Sequence, residues 1–161
     1  MQEALEIDKQ TNTTYWREAI QKEMTNNKMA FKFLDEDKNK PIGYKWIKCH
    51  MIFDVKKDFT RKAQYVAGVR MTDPPPSITY SSVVSRDSIL IAFLINALND
   101  INILATDISN AFLNATPREK VYATAGPEFG TVFQGKHVLI VRALYGLKSS
   151  GAAWRSHLKS G

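Results

Sequence analysis

Asp107 is the residue whose position most suggests chemistry. It closes the apolar run 101–106 and is followed at once by Ile108 and a second apolar group around Phe112. A carboxylate at the tip of a buried strand can meet a divalent cation, and the carbonyl of Ile108 offers a second oxygen. Mg²⁺ suits such a position, since it takes one or two carboxylates and fills its shell with phosphate oxygens and waters. The same aspartate can also cap the turn that follows, and the local spacing leaves both readings open.

The second feature with chemical potential is a block of positive charge. Residues 40–70 hold Lys40, Lys45, Lys48, Lys56, Lys57, Arg61, Lys62 and Arg70 against only Asp54 and Asp58, an excess equal to the whole net charge of +6. Tyr44, Trp46, Phe53 and Tyr65 are interleaved with these cations. Cations mixed with aromatic rings form the surface that single-stranded nucleic acids bind, through phosphates and stacked bases. A plainer reading also holds: the lysines guard an exposed strand edge and the rings pack the hairpin onto its domain.

Composition narrows the classes. Hydrophobic residues make up 44% and charged residues 24% of 161, with eight glycines and six prolines. These are globular proportions rather than those of a disordered chain. The single cysteine, Cys49, excludes an internal disulfide and a cysteine-based zinc site. It is expected as a small buried strand residue in a reducing compartment. The first residues lack the basic and apolar regions of a secretion signal. The longest apolar stretch, 89–97, is about half the ~20 residues a bilayer needs. The expectation is an intracellular protein, cytoplasmic or nuclear, with no membrane partner.

The elements that must position these residues follow from periodicity and punctuation. Trp16, Ala19, Ile20 and Met24 recur at helical spacing over 13–28, with Thr13 or Thr14 as the cap. Residues 44–53 and 61–69 are extended runs joined by polar 54–60, which predicts a hairpin. Asp73-Pro74-Pro75-Pro76-Ser77 is a stiff connector that separates a basic front, about 13–72, from a more apolar rear, about 77–161. Ser85 caps a helix to Leu98 that is apolar on most faces and is expected to be buried. A strand over 101–108, a short helix or turn over 110–115 and strands over 121–124 and 138–141 follow, the last entered from a turn at Gly135. A glycine-punctuated loop over 143–151 leads into a helix over 152–159. The order is α+β, without strict alternation.

Several blocks, in order, resemble copia-type reverse transcriptases. They are Trp16-Arg17-Glu18-Ala19, Ile42-Gly43-Tyr44-Lys45-Trp46-Ile47, Arg61-Lys62-Ala63-Gln64-Tyr65-Val66-Ala67 and Thr79-Tyr80-Ser81-Ser82-Val83-Val84-Ser85. Two are specific: Thr106-Asp107-Ile108-Ser109-Asn110-Ala111-Phe112-Leu113-Asn114, similar to the first catalytic motif, and Leu144-Tyr145-Gly146-Leu147-Lys148-Ser149-Ser150-Gly151-Ala152-Ala153-Trp154, similar to the grip motif. The resemblance implies a partial right-hand polymerase, a fingers hairpin joined to an incomplete palm sheet with packed helices.

The resemblance also assigns roles. Asp107, with the Ile108 carbonyl, matches the first metal-binding position of a site that takes two Mg²⁺ ions. Asn110 and Ala111 match the turn beside the incoming triphosphate. Phe112 matches the steric gate against a ribose 2′-hydroxyl, although its position suits a core residue equally well. Lys62 matches the fingers residues over the triphosphate, and Tyr145, Gly146 and Lys148 match the loop that touches the template–primer. The implied partners are an RNA or DNA template–primer and deoxynucleoside triphosphates. Gln64 and Leu90 depart from the family, which commonly has arginine at both places. The second carboxylate pair of the family is not found, since no Asp or Glu follows Glu128. The expectation is therefore a fragment with little or no polymerase activity alone, the alternative being a non-catalytic remnant that binds nucleic acid.

Overall fold

Two helices open the chain, and a buried carboxylate joins them. A computed structural model describes residues 1–34, 41–68 and 84–160. Helix α1 spans Gln2–Thr11 and ends where Asn12 turns left-handed, at φ 50°; helix α2 spans Tyr15–Asn26. The threonines expected to cap α2 do not, since Thr14 donates its hydroxyl to Glu18 instead. The cap comes from Asp8 of α1, only 5% exposed, whose carboxylate accepts the N–H groups of Trp16 at 3.2 Å and Arg17 at 2.9 Å. The free N–H groups at the start of a helix need such an acceptor.

The hairpin forms as the alternating pattern predicts. Strand β3, Lys48–Val55, pairs antiparallel with β4, Arg61–Gly68, in a register running from Lys48 opposite Gly68 to Val55 opposite Arg61. On β4, Ala63, Tyr65 and Ala67 are buried while Lys62 is exposed, as the period of two requires. Helix α2 packs over this strand through Trp16 and Ile20. Trp16 meets Phe53 edge-on with centroids 5.4 Å apart, and the Arg61 guanidinium lies 5.5 Å from the Trp16 ring.

A second sheet of four strands has the order β1-β6-β5-β2. Its members are β1 at Phe31–Phe33, β2 at Lys45–Trp46, β5 at Val121–Thr124 and β6 at His137–Ile140. Only the β2–β5 pair is parallel. The core lies between this sheet and β4, around Ile47, Tyr65, Leu113, Val121, Val138 and Leu144. Tyr65, Phe31 and Phe129 meet edge-to-face with centroids 5.0–5.6 Å apart, and such pairs each contribute about 0.5–1.5 kcal/mol beyond burial. Helix α4, Ser150–Ser160, closes the described chain. The mixture of helix and sheet is α+β.

Three further expectations are corrected. Helix α3, Arg86–Leu98, starts at Ser85, whose hydroxyl accepts the Ser88 N–H at 3.1 Å, but none of its residues is buried. Leu94 is 59% and Leu98 76% exposed. A helix apolar on most faces is buried only where other elements surround it, and none of the described elements does so. Residues 101–108 form no strand, because a strand exists only where a neighbour takes up its backbone hydrogen bonds. Cys49 is half-buried on β3 rather than fully enclosed; burial still pushes its thiol up to about 11, which keeps it protonated and unreactive. The proline connector at 73–77 lies outside the described residues.

Burial pushes the Asp8 carboxyl up, but the N–H groups of Arg17 and Trp16, the Thr13 hydroxyl and the Arg17 charge outweigh it and hold it below 3.8. A depressed folded-state pKa favours folding fully above the unfolded value, and that contribution is lost as pH falls through the folded value. The melting temperature of the wild-type chain should therefore fall as pH drops below about 4. Asp8→Asn should lower it at pH 7 and remove that part of the acid dependence. An Asp8→Asn chain as stable as wild type at pH 7 would show that Asp8 is not the cap of α2.

Candidate functional site

Among the described residues the outward edge of β4 has no partner strand, and the chain satisfies it in two other ways. The Tyr65 N–H donates to the Glu23 carboxylate of α2 at 2.9 Å, and the same oxygen accepts the Asn27 side-chain amide at 2.7 Å. Two residues on, the Ala67 N–H donates to the Tyr145 carbonyl at 2.8 Å. The loop bearing the second specific motif is thus fastened to the hairpin. Gly146 permits that approach: its φ is +91°, and a Cβ there would lie 2.1 Å from the Ala67 carbonyl oxygen and 2.8 Å from Val66 Cγ1. Only glycine fits both the left-handed backbone and the contact.

The loop is equally fixed from behind. Leu144 and Leu147 are buried, and Ser149 is fully enclosed. Ser149 donates its N–H to Glu119 at 2.8 Å and its hydroxyl to the same carboxylate, while that hydroxyl accepts the Arg118 N–H. Ser150 donates its hydroxyl to the Leu144 carbonyl at 2.6 Å. The Ala143 N–H donates to the Ala115 carbonyl at 2.9 Å, which ties the loop to the turn carrying Phe112.

That turn is a 3₁₀ segment, Ala111–Asn114, entered from Asn110 at φ 54°. Asparagine tolerates this left-handed conformation better than most residues. The Phe112 ring packs on the small cluster Ala115, Ala143 and Ala153 and meets the Tyr145 ring with centroids 4.8 Å apart at 58°. Lys62, Gln64, Asn110, Phe112 and Tyr145 then line one pocket of ≈ 120 Å³, bounded on the α2 side by Glu23 and Asn27.

Segments far apart in the sequence therefore converge: β4, the turn at 110–112 and the loop at 145. Ala111 is half-buried in the turn itself, and Lys148 is half-buried and engaged within the fold. Asp107 and Ile108 are exposed and do not line the pocket. Among the described residues no group of three or more His, Cys, Asp or Glu side chains is placed to hold a metal ion. A larger groove of ≈ 640 Å³ between α1, α2 and β1 is lined by Phe31, Phe33, Phe129 and Phe133 and contains none of the predicted site residues.

Glu23 and Asn27 escaped the sequence reading, though a signal was present. They fall on the same helical stripe as Trp16, Ile20 and Met24, where polar residues need a buried partner to be tolerated.

Comparison with known proteins gives the family. The family model described as reverse transcriptase (RNA-dependent DNA polymerase) matches residues 28–160. The chain belongs to that family. It is similar to the transposon Ty1-BL and Ty1-NL2 Gag-Pol polyproteins of Saccharomyces cerevisiae, 34% identical to each over 149 residues, and the relation is of the copia type. The match covers 89% of this chain but only 8% of each polyprotein. No solved structure gives a significant match. No helix among the described residues is long and apolar enough to cross a membrane.

The contact at Gly146 can be separated from ordinary turn strain. Gly43 also has positive φ, +79°, but nothing lies within 4 Å of its would-be Cβ. Gly43→Ala should cost only the left-handed strain, about 1–3 kcal/mol. Gly146→Ala should cost clearly more in urea denaturation, since the Ala67 backbone must also move. Equal costs would mean that the loop does not dock on β4.

Proposed function

We propose that this chain supplies the fingers, over about 13–72, and the first part of the palm, over about 77–161, of an RNA-directed DNA polymerase of a copia-type element. The convergence of Lys62, Asn110, Phe112 and Tyr145 on one pocket carries this reading. At ≈ 120 Å³ the pocket is well below the roughly 300 Å³ at which small-molecule sites begin. It suits the sugar of an incoming deoxynucleotide rather than the whole molecule. In this arrangement the Phe112 ring, braced by Tyr145, fills the space a 2′-hydroxyl needs. Lys62 meets the triphosphate from the hairpin, with Asn110 and Ala111 beside it. Tyr145, Gly146 and Lys148 present the loop to an RNA or DNA template–primer.

The metal expected of such a site is Mg²⁺. Asp107 and the Ile108 carbonyl would be this chain's ligands, with the remaining oxygens drawn from triphosphate, water and acidic side chains beyond the described ones. When bound, two such ions activate a primer hydroxyl and stabilise the leaving pyrophosphate. The part of this chain is to hold one carboxylate, place the sugar and grip the strand. The exposed, strand-free setting of Asp107 favours a second reading, in which the chain binds template–primer without catalysing transfer.

Joining the chain to the remaining palm of a related element tests both readings. Templated extension by that chimera, lost in Asp107→Ala, is expected; a fully folded chimera that binds template–primer but never extends it would support the second reading. In the same chimera Phe112→Ala should raise the ratio of ribo- to deoxynucleotide incorporation about tenfold or more, roughly 1.4 kcal/mol of discrimination. A Phe112 that is only core packing costs about 3–5 kcal/mol of stability on truncation and leaves that ratio unchanged.

A further inference from the structure

The tip of the β3–β4 hairpin holds a residue that packing does not explain. Phe59 is 81% exposed and its backbone is left-handed, at φ 62°. For a bulky side chain that conformation is a genuine outlier, sustained only where the surroundings over-determine it. They do so here. The Phe59 N–H donates to the Lys56 carbonyl at 2.9 Å, the Lys56 N–H to the Thr60 carbonyl at 3.0 Å, and Arg61 Nη1 to the Phe59 carbonyl at 2.9 Å. Asp58 accepts the Thr60 N–H at 3.1 Å. The turn holds an apolar ring out in water at a cost in backbone strain.

A second exposed ring, Tyr15, at 59%, stands in the first turn of α2 and lines the same cleft as Phe59. Phe59, Tyr15, Lys22 and Arg61 line one cleft of ≈ 490 Å³ that shares none of its residues with the pocket around Phe112. Lys56 and Lys57 are exposed beside it on the tip. Two carboxylates also line the cleft, and both have internal partners: Glu18 accepts the Thr14 hydroxyl and Asp58 the Thr60 N–H. Trp16 ties the hairpin to α2 next to this cleft, meeting Phe53 edge-on and lying under the Arg61 guanidinium.

We propose that this cleft is a stacking site for an unpaired nucleobase, with Phe59 and Tyr15 meeting the base and Lys22, Lys56, Lys57 and Arg61 facing its flanking phosphates. The proposal rests on the reading that the chain handles nucleic acid, and adds a second, single-strand-specific site to it. A base within a duplex has both faces covered by its neighbours and cannot offer one to these rings. Every base has a π-face, so the site takes any sequence.

Fluorescence anisotropy with the full chain decides the matter. The probes are a deoxyadenosine strand of about 12 nucleotides, within the usual single-strand site size, an abasic strand of equal length, and a blunt duplex. Wild type should bind the adenosine strand more tightly than the abasic one. Phe59→Gly should weaken the adenosine strand about tenfold or more, erase its advantage over the abasic strand, and leave the salt dependence unchanged. It should leave the melting temperature unchanged or higher, because glycine relieves the left-handed strain. Phe59→Trp should keep the wild-type affinity. If Phe59→Gly binds the adenosine strand as wild type does, or if wild type binds both strands equally, the stacking site is refuted while the nucleic-acid reading stands. If none of the three probes binds, that reading falls and the stacking site falls with it.

Discussion

The structure depends on how the outward edge of β4 is satisfied. Ala63, Tyr65 and Ala67 face the core from this strand, and β3 takes up the hydrogen bonds of only one of its sides. An unpaired strand edge next to a core is costly. Glu23 and Tyr145 fill the place of a neighbouring strand, one with a carboxylate and the other with a carbonyl. The first bond orients α2 over the hairpin. The second brings in a loop about eighty residues away in sequence, and so builds the pocket that no single segment contains.

This arrangement also explains why particular residue types stand where they do. A side chain at 146 would strike the Ala67 carbonyl. The part-buried Glu119–Ser149 contact holds the loop from its other side, and the Ala143–Ala115 bond ties the Phe112 turn to it. Phe112 therefore both packs and lines the pocket. For the steric-gate role proposed for it, a packed ring discriminates better than a free one.

Much of this was legible in the sequence where the signal is local. The alternation of Ala63, Tyr65 and Ala67, the Ser85 cap, the strand at 121–124 and the strand read at 138–141, found at His137–Ile140, follow from patterns within a few residues. The two specific motifs marked the segments that the fold brings together. What was not legible is non-local. Strand β1 is three residues long and exists because β6 pairs with it, and the extended run read over 44–53 is split, its first residues pairing with β5 as β2 while the rest joins the hairpin. The cap of α2 comes from the preceding helix, which itself buries only Ala4 and Asp8. The helix at 86–98 and the run at 101–108 carry the apolar pattern of a buried helix and strand, but the described residues offer neither a cover nor an edge. Burial needs a partner, and sequence pattern alone cannot supply one. Asp107 stands outside the pocket for that reason.

Amide hydrogen exchange at Ala67 tests the central claim most directly. Its N–H faces away from β3, and the hydrogen bond that protects it comes from the Tyr145 carbonyl. With the loop docked as described, this amide exchanges only when the chain unfolds globally, at the slow rate of the paired amides in β5 and β6. Exchange as fast as that of an open strand edge, in a chain whose β5 and β6 remain protected, would show that the loop does not seal β4 and that the pocket is not assembled.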